Sequence, residues 1–351
     1  MGDNEATTVL VTGATGYIAR HLIAQLLDQG YTVRGTARSL SSLAPLRSDL
    51  TPFLQDPTSI DRLSLVASDL TQTSGWAEAA AGCAYVHHVA SPIPSAPPKD
   101  RDELIIPARD GTLRVLRASL DSDVRRVVLT SSLAAVLYGV DRTGKVFTEA
   151  DWSNPDDPRI GAYEQSKTIA EQAAWAFMAE RSRGRMELAT INPGLVLGPM
   201  FGHASSTSNE AVAKLMNRDF PACPDFTYSM VDVRDVASAH IAAMTAPSAA
   251  GQRFICGLES RSLRDVAVIL AQEYGPKGYR IPTGKLPNVV VRIVAKFDKT
   301  AALALNDLSN PQRVNPAKVI ALLGRPLRDL KEMTLAMAES LVAYGLVKAP
   351  R

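Results

Sequence analysis

Short apolar runs alternate with longer stretches of helical periodicity through the first two hundred residues of this chain. Thr8–Val11, Tyr31–Thr36, Leu63–Ala67, Tyr85–Ala90, Arg126–Thr130 and Leu188–Asn192 read as strands, bounded by Gly, Asp, Ser and Pro. Between them lie apolar positions spaced for one helix face: Tyr17–Leu27, then Asp102–Ser119 with Leu104, Ala108, Gly111, Leu113, Val115 and Leu116, then Gly161–Ala179. Strand and helix in strict alternation predict an α/β fold, a doubly wound parallel sheet covered on both faces. After Pro193 the rhythm loosens. Pro199, Pro221, Pro224, Pro247 and Pro276 punctuate shorter elements, and Ala317–Leu323 and Asp329–Tyr344 read as helices. The pattern contains neither an internal repeat nor a low-complexity tract.

Composition narrows the class. The chain has 351 residues, a formal charge of +2 and 21% charged residues, so neither nucleic acid nor a membrane surface is implied as a partner. Three widely spaced cysteines, Cys83, Cys223 and Cys256, suggest buried thiols rather than a disulfide framework or a metal site. The polar start Met1–Glu5 lacks the basic and apolar character of a secretory signal, and the most apolar window, Asn288–Phe297, is broken by Arg292 and Lys296. A cytoplasmic location is the expectation. His87 and His88 are adjacent on a strand and so face opposite ways, which argues against a shared metal.

The first strand and first helix are joined by Thr12-Gly13-Ala14-Thr15-Gly16-Tyr17-Ile18-Ala19. Such a glycine turn lets backbone approach a pyrophosphate, while the helix N-terminus directs amide donors at it. Gly13 and Gly16 give clearance, and Ala19 still permits close packing of helix on strand. A site for NAD would place an acidic side chain about 20 residues further on, against the ribose 2′-hydroxyl. From Gln29 to Ser48 there is none; the segment holds Arg34, Arg38 and Arg47, with Ser39 and Ser41. A guanidinium just past the strand end can pair with a 2′-phosphate, which favours NADP, and Arg38 is better placed than Arg34.

Tyr163 and Lys167 stand four residues apart in a helical stretch, hence on one face. A neighbouring ammonium is expected to lower the phenol from its usual value of about 10. Tyr344 and Lys348 repeat the spacing, but only the first pair follows Thr130-Ser131-Ser132 at a strand end, where an open α/β sheet forms its ligand crevice. A serine hydroxyl there can hold a carbonyl oxygen while the tyrosine donates a proton.

Taken in order, the turn at Gly13–Ala19, Arg38, Asp69-Leu70, Val89-Ala90-Ser91, Ser131-Ser132 and Tyr163–Lys167 resemble an extended short-chain dehydrogenase/reductase of Rossmann type. Residues 33–38, 166–175 and 231–240 are similar to the dihydroflavonol reductase-like group, which includes yeast and fungal aldehyde and carbonyl reductases. The resemblance implies Tyr163 as general acid, Lys167 as its activator and a ribose ligand, and Ser132 as the carbonyl-positioning hydroxyl. It implies NADP(H) held by Gly13, Thr15, Gly16, Tyr17 and Ile18, with Arg38 on the 2′-phosphate and Asp69 and Leu70 at the adenine. Val89, Ala90 and Ser91 would meet the ribose on the nicotinamide side, and Pro193, Leu195 and Val196 the carboxamide. Residues 1–195, with a return segment near 230–257, would form the NADP-binding domain, and 196–229 with 258–351 a substrate-binding lid region. Family members occur as monomers and homodimers, and no metal is implied.

The flavonoid-reducing members grip substrate hydroxyls with an Asn and a Gln where this chain places Leu137 and Ser229. The cinnamoyl-CoA reductase signature around the tyrosine is absent from Gly161-Ala162-Tyr163-Glu164. A less polar aldehyde or ketone is the expected substrate, with the pocket drawn from 92–98, 133–138, 200–209 and 226–230. The alternatives on this fold are a hydroxysteroid dehydrogenase, a sugar-nucleotide epimerase, and a non-catalytic NADP-sensing regulator. Arg38 speaks against the epimerase, and the Tyr-Lys pair against the regulator.

Overall fold

The computed structural model describes residues 7–92, 100–204, 206–219, 221–296 and 304–350. The strands are β1 (Thr8–Val11), β2 (Thr32–Ala37), β3 (Leu63–Ala67), β4 (Tyr85–His88), β5 (Arg126–Thr130) and β6 (Glu187–Pro193). Three short strands follow, β7 (Leu195–Leu197), β8 (Thr227–Tyr228) and β9 (Met230–Asp232), then β10 (Gln252–Cys256) and β11 (Arg261–Ser262). Seven of them make one parallel sheet in the order β3-β2-β1-β4-β5-β6-β10. Because the chain leaves β1 toward β2 and later returns to the other side as β4, the carboxyl ends of β1 and β4 flank a crevice.

The helices are α1 (Tyr17–Asp28), α2 (Leu43–Leu50), α3 (Trp76–Ala80), α4 (Asp102–Asp121), α5 (Ala162–Phe177), α6 (Thr207–Met216), α7 (Val233–Thr245), α8 (Leu263–Tyr274), α9 (Asn288–Val294), α10 (Ala317–Leu323) and α11 (Leu330–Ala343). α4 packs with α5 on one face of the sheet, and α1 with α7 on the other. Period two along the strands divides the core accordingly: Val9, Val11 and Val128 join the α1/α7 cluster, while Leu10, Val127 and Leu129 join the α4/α5 cluster. All five residues of β5 are buried, as a central strand covered on both faces requires.

Among the differences between predicted and observed elements, two have evident physical causes. The helix predicted to run to Ala179 leaves α geometry after Phe177, where residues 178–182 widen into a π turn closed by left-handed Arg183 and Gly184. The stretch 231–240, read only as a motif, is β9 followed by α7, whose N-cap Asp232 accepts from the Arg234 amide. Past β6, α6, α8 and α11 close a separate apolar cluster around Met230, Val266, Leu270, Met333 and Met337, into which Tyr17 also projects. Cys83, Cys223 and Cys256 are free and buried, as expected. Among the described residues no helix is long and apolar enough to cross a membrane.

Candidate active site

The glycine turn opens onto the crevice. Gly13 has φ +67°, and a Cβ there would stand 3.1 Å from the Cα and the Cβ of Ala90. Both facts select glycine. Thr12 ties the two sides together: its Oγ1 accepts from the amides of Val89 and Ala90 at 3.0 Å each and lies 2.9 Å from His88 Nδ1. On the other flank the Gly13 amide donates to Thr36 Oγ1 at 3.1 Å and the Ala14 amide to the Thr36 carbonyl at 2.8 Å. Gly16 is the N-cap of α1 and brings no side chain to the first-turn amides, and Thr15 and Gly16 are exposed. An uncapped helix N-terminus beside a clearance glycine fits the pyrophosphate of a dinucleotide. Tyr17 faces inward, its hydroxyl donating to the Gly198 carbonyl at 2.7 Å, and Ile18 is half-buried, so what these two can offer a ligand is backbone. Gly13→Ala is expected to cost about 1–3 kcal/mol in left-handed strain and to push the Ala90 loop away. Thermal melts and NADPH fluorescence titration should show a lower Tm together with weakened cofactor binding; unchanged binding would contradict the role given to this turn.

Arg38 follows β2 directly and is exposed. Arg34 is committed elsewhere, its Nη1 donating to the carbonyls of Glu78, Ala79 and Ala81 at the end of α3, and Arg47 Nη2 donates to the Leu63 carbonyl at 2.6 Å. Of the three arginines of this segment, Arg38 is the one to which no such carbonyl bond ties the guanidinium. Asp69 lies near it. The Asp69 carboxyl is held below its usual range by bonds from the Thr71 amide and hydroxyl, at 2.8 and 2.7 Å, with Arg38 adding a smaller pull. Asp69 thus closes a turn on Thr71 and is not a helix cap, since α3 begins at Trp76 behind Gly75. Leu70 packs on α4 at Gly111, where a Cβ would come within 3.0 Å of it.

Ser131 and Ser132 emerge where β5 ends. The Ser132 Oγ accepts from the Ala134 amide at 3.1 Å, capping a short helical turn, and Asn192 Nδ2 donates to its carbonyl at 3.2 Å. Tyr163 stands in the first turn of α5 and Lys167 one turn on. Tyr163 is 40% exposed, yet its hydroxyl end is packed among protein atoms, and this burial raises the phenol above its ordinary value. Hydrogen bonding with Ser132 opposes the rise, and the Glu164 charge adds to it. The phenol is thus raised and not lowered as expected: desolvation dominates, and the opposing pull comes from Ser132 rather than from the ammonium. Burial also brings Lys167 down from 10.5 to about 8, with Glu171 resisting. Near pH 7 the site therefore holds a protonated phenol beside a largely protonated amine. A small cavity lies between Ala90–Pro92, Thr130–Ser131, Lys167 and Glu171.

Residues 9–257 match the model of the NAD dependent epimerase/dehydratase family. The chain belongs to that family. It is an NAD(P)-dependent oxidoreductase of the extended short-chain dehydrogenase/reductase type. Cinnamoyl-CoA reductase CAD2 of Medicago truncatula is 38% identical over 254 residues, 71% of this chain and 76% of the relative. Dihydroflavonol 4-reductase of Zea mays is 32% identical over 280 residues, 78% of this chain and 76% of the relative. The solved structure of yeast methylglyoxal/isovaleraldehyde reductase Gre2, complexed with NADPH, superposes with a TM-score of 0.79 at 28% identity. It covers 97% of this chain and 100% of the other.

Parts of the expected pocket lining of this oxidoreductase are buried. Leu133–Tyr138 are all buried, and Leu137 packs with Phe147, Ile160 and Val314. Ser229 is buried too: its Oγ donates to the Leu258 carbonyl at 2.7 Å, and its amide donates to Gln312 Oε1 at 3.1 Å. Residues 93–98, also expected at the pocket, lie outside the described residues, as does Ser205. Leu195 and Val196 form β7 against β9, and Pro193 ends β6 beside Cys256 of β10. The second Tyr-Lys match serves the surface: Tyr344 Oη accepts from the Gly202 amide at 3.0 Å, and Lys348 pairs with Asp219 at 4.0 Å. His87 and His88 part as expected, His87 meeting His240 and His88 meeting Thr12. Among the described residues no cluster of His, Cys, Asp and Glu can hold a metal. Sequence reading missed three polar side chains beneath the site, Glu171, Asn192 and Arg253; the one available signal was that Glu171 continues the Tyr163–Lys167 face by a further turn.

Proposed function

We propose that this protein uses NADPH to reduce an aldehyde or ketone of modest polarity to the alcohol. One observation carries the reading: Ser132, Tyr163 and Lys167 gather at the carboxyl edge of the sheet across the crevice from the glycine turn, with the phenol kept protonated. Bound NADPH supplies the hydride. Ser132 holds the substrate oxygen, Tyr163 gives it a proton, and the Lys167 ammonium stabilises the phenolate left behind while contacting the ribose hydroxyls. The glycine turn and the first turn of α1 hold the pyrophosphate, Arg38 the 2′-phosphate, Asp69 and Leu70 the adenine, and residues 89–91, 193, 195 and 196 the nicotinamide half. Residues 196–229 and 258–351 supply the substrate side. The yeast structure similar to this chain is named for methylglyoxal and isovaleraldehyde, both small carbonyl compounds without polyhydroxylated rings.

The test follows NADPH absorbance with aliphatic and aromatic aldehydes, α-dicarbonyls, ketoesters and a dihydroflavonol, with NADH run beside it. Turnover of small carbonyls with a preference for NADPH is expected, and silence across the panel would overturn the reading. Arg38→Ala should reduce the NADPH preference by about 10- to 100-fold, as loss of a charge-assisted bidentate contact worth about 1.5–3 kcal/mol implies. The same ratio of kcat/KM for NADPH and NADH in wild type and variant would remove Arg38 from the 2′-phosphate site.

A further inference from the structure

On the buried face of α5 lies a carboxylate that accepts from six donor atoms. Glu171, one turn beyond Lys167 on α5, is fully buried. Its Oε1 accepts from Arg253 Nε at 2.7 Å, Thr190 Oγ1 at 3.0 Å and Trp175 Nε1 at 3.2 Å. Its Oε2 accepts from Ser131 Oγ at 2.5 Å, Asn192 Nδ2 at 2.8 Å and Arg253 Nη2 at 3.3 Å. The donors come from α5, from the end of β5, from β6 and from β10. Arg253 is itself held in place, its Nη1 donating to the carbonyls of Glu149 and Asp151 at 2.8 and 2.6 Å, with the guanidinium 3.8 Å over the Trp152 ring.

Stability alone accounts poorly for such a pair, because a buried ion pair is commonly no more stabilising than apolar side chains of the same volume. What the network adds is register. Two arms lead from Glu171 to the serine turn: one through Ser131, and one through Asn192, whose Nδ2 also donates to the Ser132 carbonyl. The same carboxylate sits one helical turn from Lys167 and two from Tyr163. We propose that Glu171, clamped by Arg253, is a positioning residue for the reaction: through Ser131 and Asn192 it sets Ser132 against Tyr163, and its charge supports the Lys167 ammonium. The inference rests on the reductase reading.

The titratable groups around Lys167 are Tyr163 and Glu171 on α5 and His88 on β4, with Arg253 behind Glu171. His88 is buried and neutral near pH 7, so among the described residues Glu171 is the anion that favours the charged amine.

The experiment compares wild type, Ser131→Ala, Asn192→Ala and Glu171→Gln in a neutral aldehyde assay across pH, with Tm and NADPH fluorescence titrations on the same samples. Ser131→Ala and Asn192→Ala each cut one arm and leave the ion pair whole. They should keep the wild-type Kd for NADPH while kcat falls by about tenfold, within the roughly 100-fold that a displacement of about 1 Å at a reacting group can cost. Glu171→Gln should in addition shift to lower pH the alkaline limb of kcat and the pH at which NADPH affinity declines. If stranding Arg253 unfolds that variant, the two single-arm variants decide the question. Wild-type turnover with kcat within twofold in both arm variants overturns the proposal, as does a fall in kcat matched by equal losses of Tm and NADPH affinity. Absence of turnover in the wild type would instead break the reductase reading and leave the network a structural ion pair.

Discussion

Tyr163→Phe is expected to lower kcat for carbonyl reduction by about 10²- to 10⁴-fold, the range that a positioned proton donor contributes. The substitution removes one oxygen and keeps the ring, so the first turn of α5 and its packing survive. NADPH affinity should change little, because the cofactor contacts assigned to the glycine turn, Arg38 and Lys167 remain. The direction of the pKa shift makes the case stronger: a phenol raised by burial is a proton reservoir at pH 7, and its conjugate base forms only as the substrate oxygen takes the proton. Lys167, lowered to about 8, is still mainly cationic at pH 7 and stabilises that phenolate. Above about pH 8 the ammonium is lost and the rate should decline even in the wild type. Stopped-flow oxidation of NADPH with one aldehyde, wild type against variant, measures the effect. A variant retaining more than a tenth of wild-type kcat would transfer the proton-donor role to another group.

The positions of the strands along the chain and the shared face of Tyr163 and Lys167 on α5 were legible because both depend on local periodicity. A five-residue strand such as Arg126–Thr130, buried on both faces, writes its burial into the apolar run Val127–Leu129, and an i, i+4 pair on a helix shares a face wherever the helix sits. Arg38 could be chosen over Arg34 for the same reason, since period two turns Arg34 away from the strand end, and it is indeed spent on α3 carbonyls. The clamp beneath the site could not be read this way. Arg253 meets Glu171 only because β10 pairs with β6 and brings residue 253 beside Thr190. Nothing within ten residues of either side chain announces the other. The burial of Leu137 and Ser229 was illegible for a related reason: it depends on Gln312, Val314 and Leu258, which reach them from the distant C-terminal part.

Four buried histidines should make the fold acid-labile well above the pH at which carboxylates lose their charge. Burial lowers His21, His88 and His240 from 6.5 to about 3, and His87 well below its ordinary value with His240 adding to the effect. Nearby cations reinforce the shift: Lys167 at His88, and Arg234 and Arg20 at His21, where the Pro199 carbonyl bond partly opposes them. Above pH 6.5 all four are neutral folded and unfolded, so their contribution to stability is fully present. Below it, the unfolded chain takes up protons that the folded chain refuses until about pH 3, and stability falls through that window. Each histidine costs about 1.4 kcal/mol per pH unit there, so four together cost on the order of 5 kcal/mol per unit. Set against a typical total of about 5–15 kcal/mol, this places acid unfolding near pH 5. Glu164, raised by burial, works in the opposite sense as it protonates, but one carboxyl does not offset four histidines. Guanidinium melts at pH 7.5, 6.5 and 5.5 should show midpoints falling steeply with unchanged m-values. His87→Leu is the informative variant, because its Nε2 has no hydrogen-bond partner in the core, and it should remove about one quarter of the slope. Stability that stays level from pH 7.5 to 5.5 would mean that water or a conformational opening reaches these rings, and that the core between β4, β5 and α7 is looser than its packing implies.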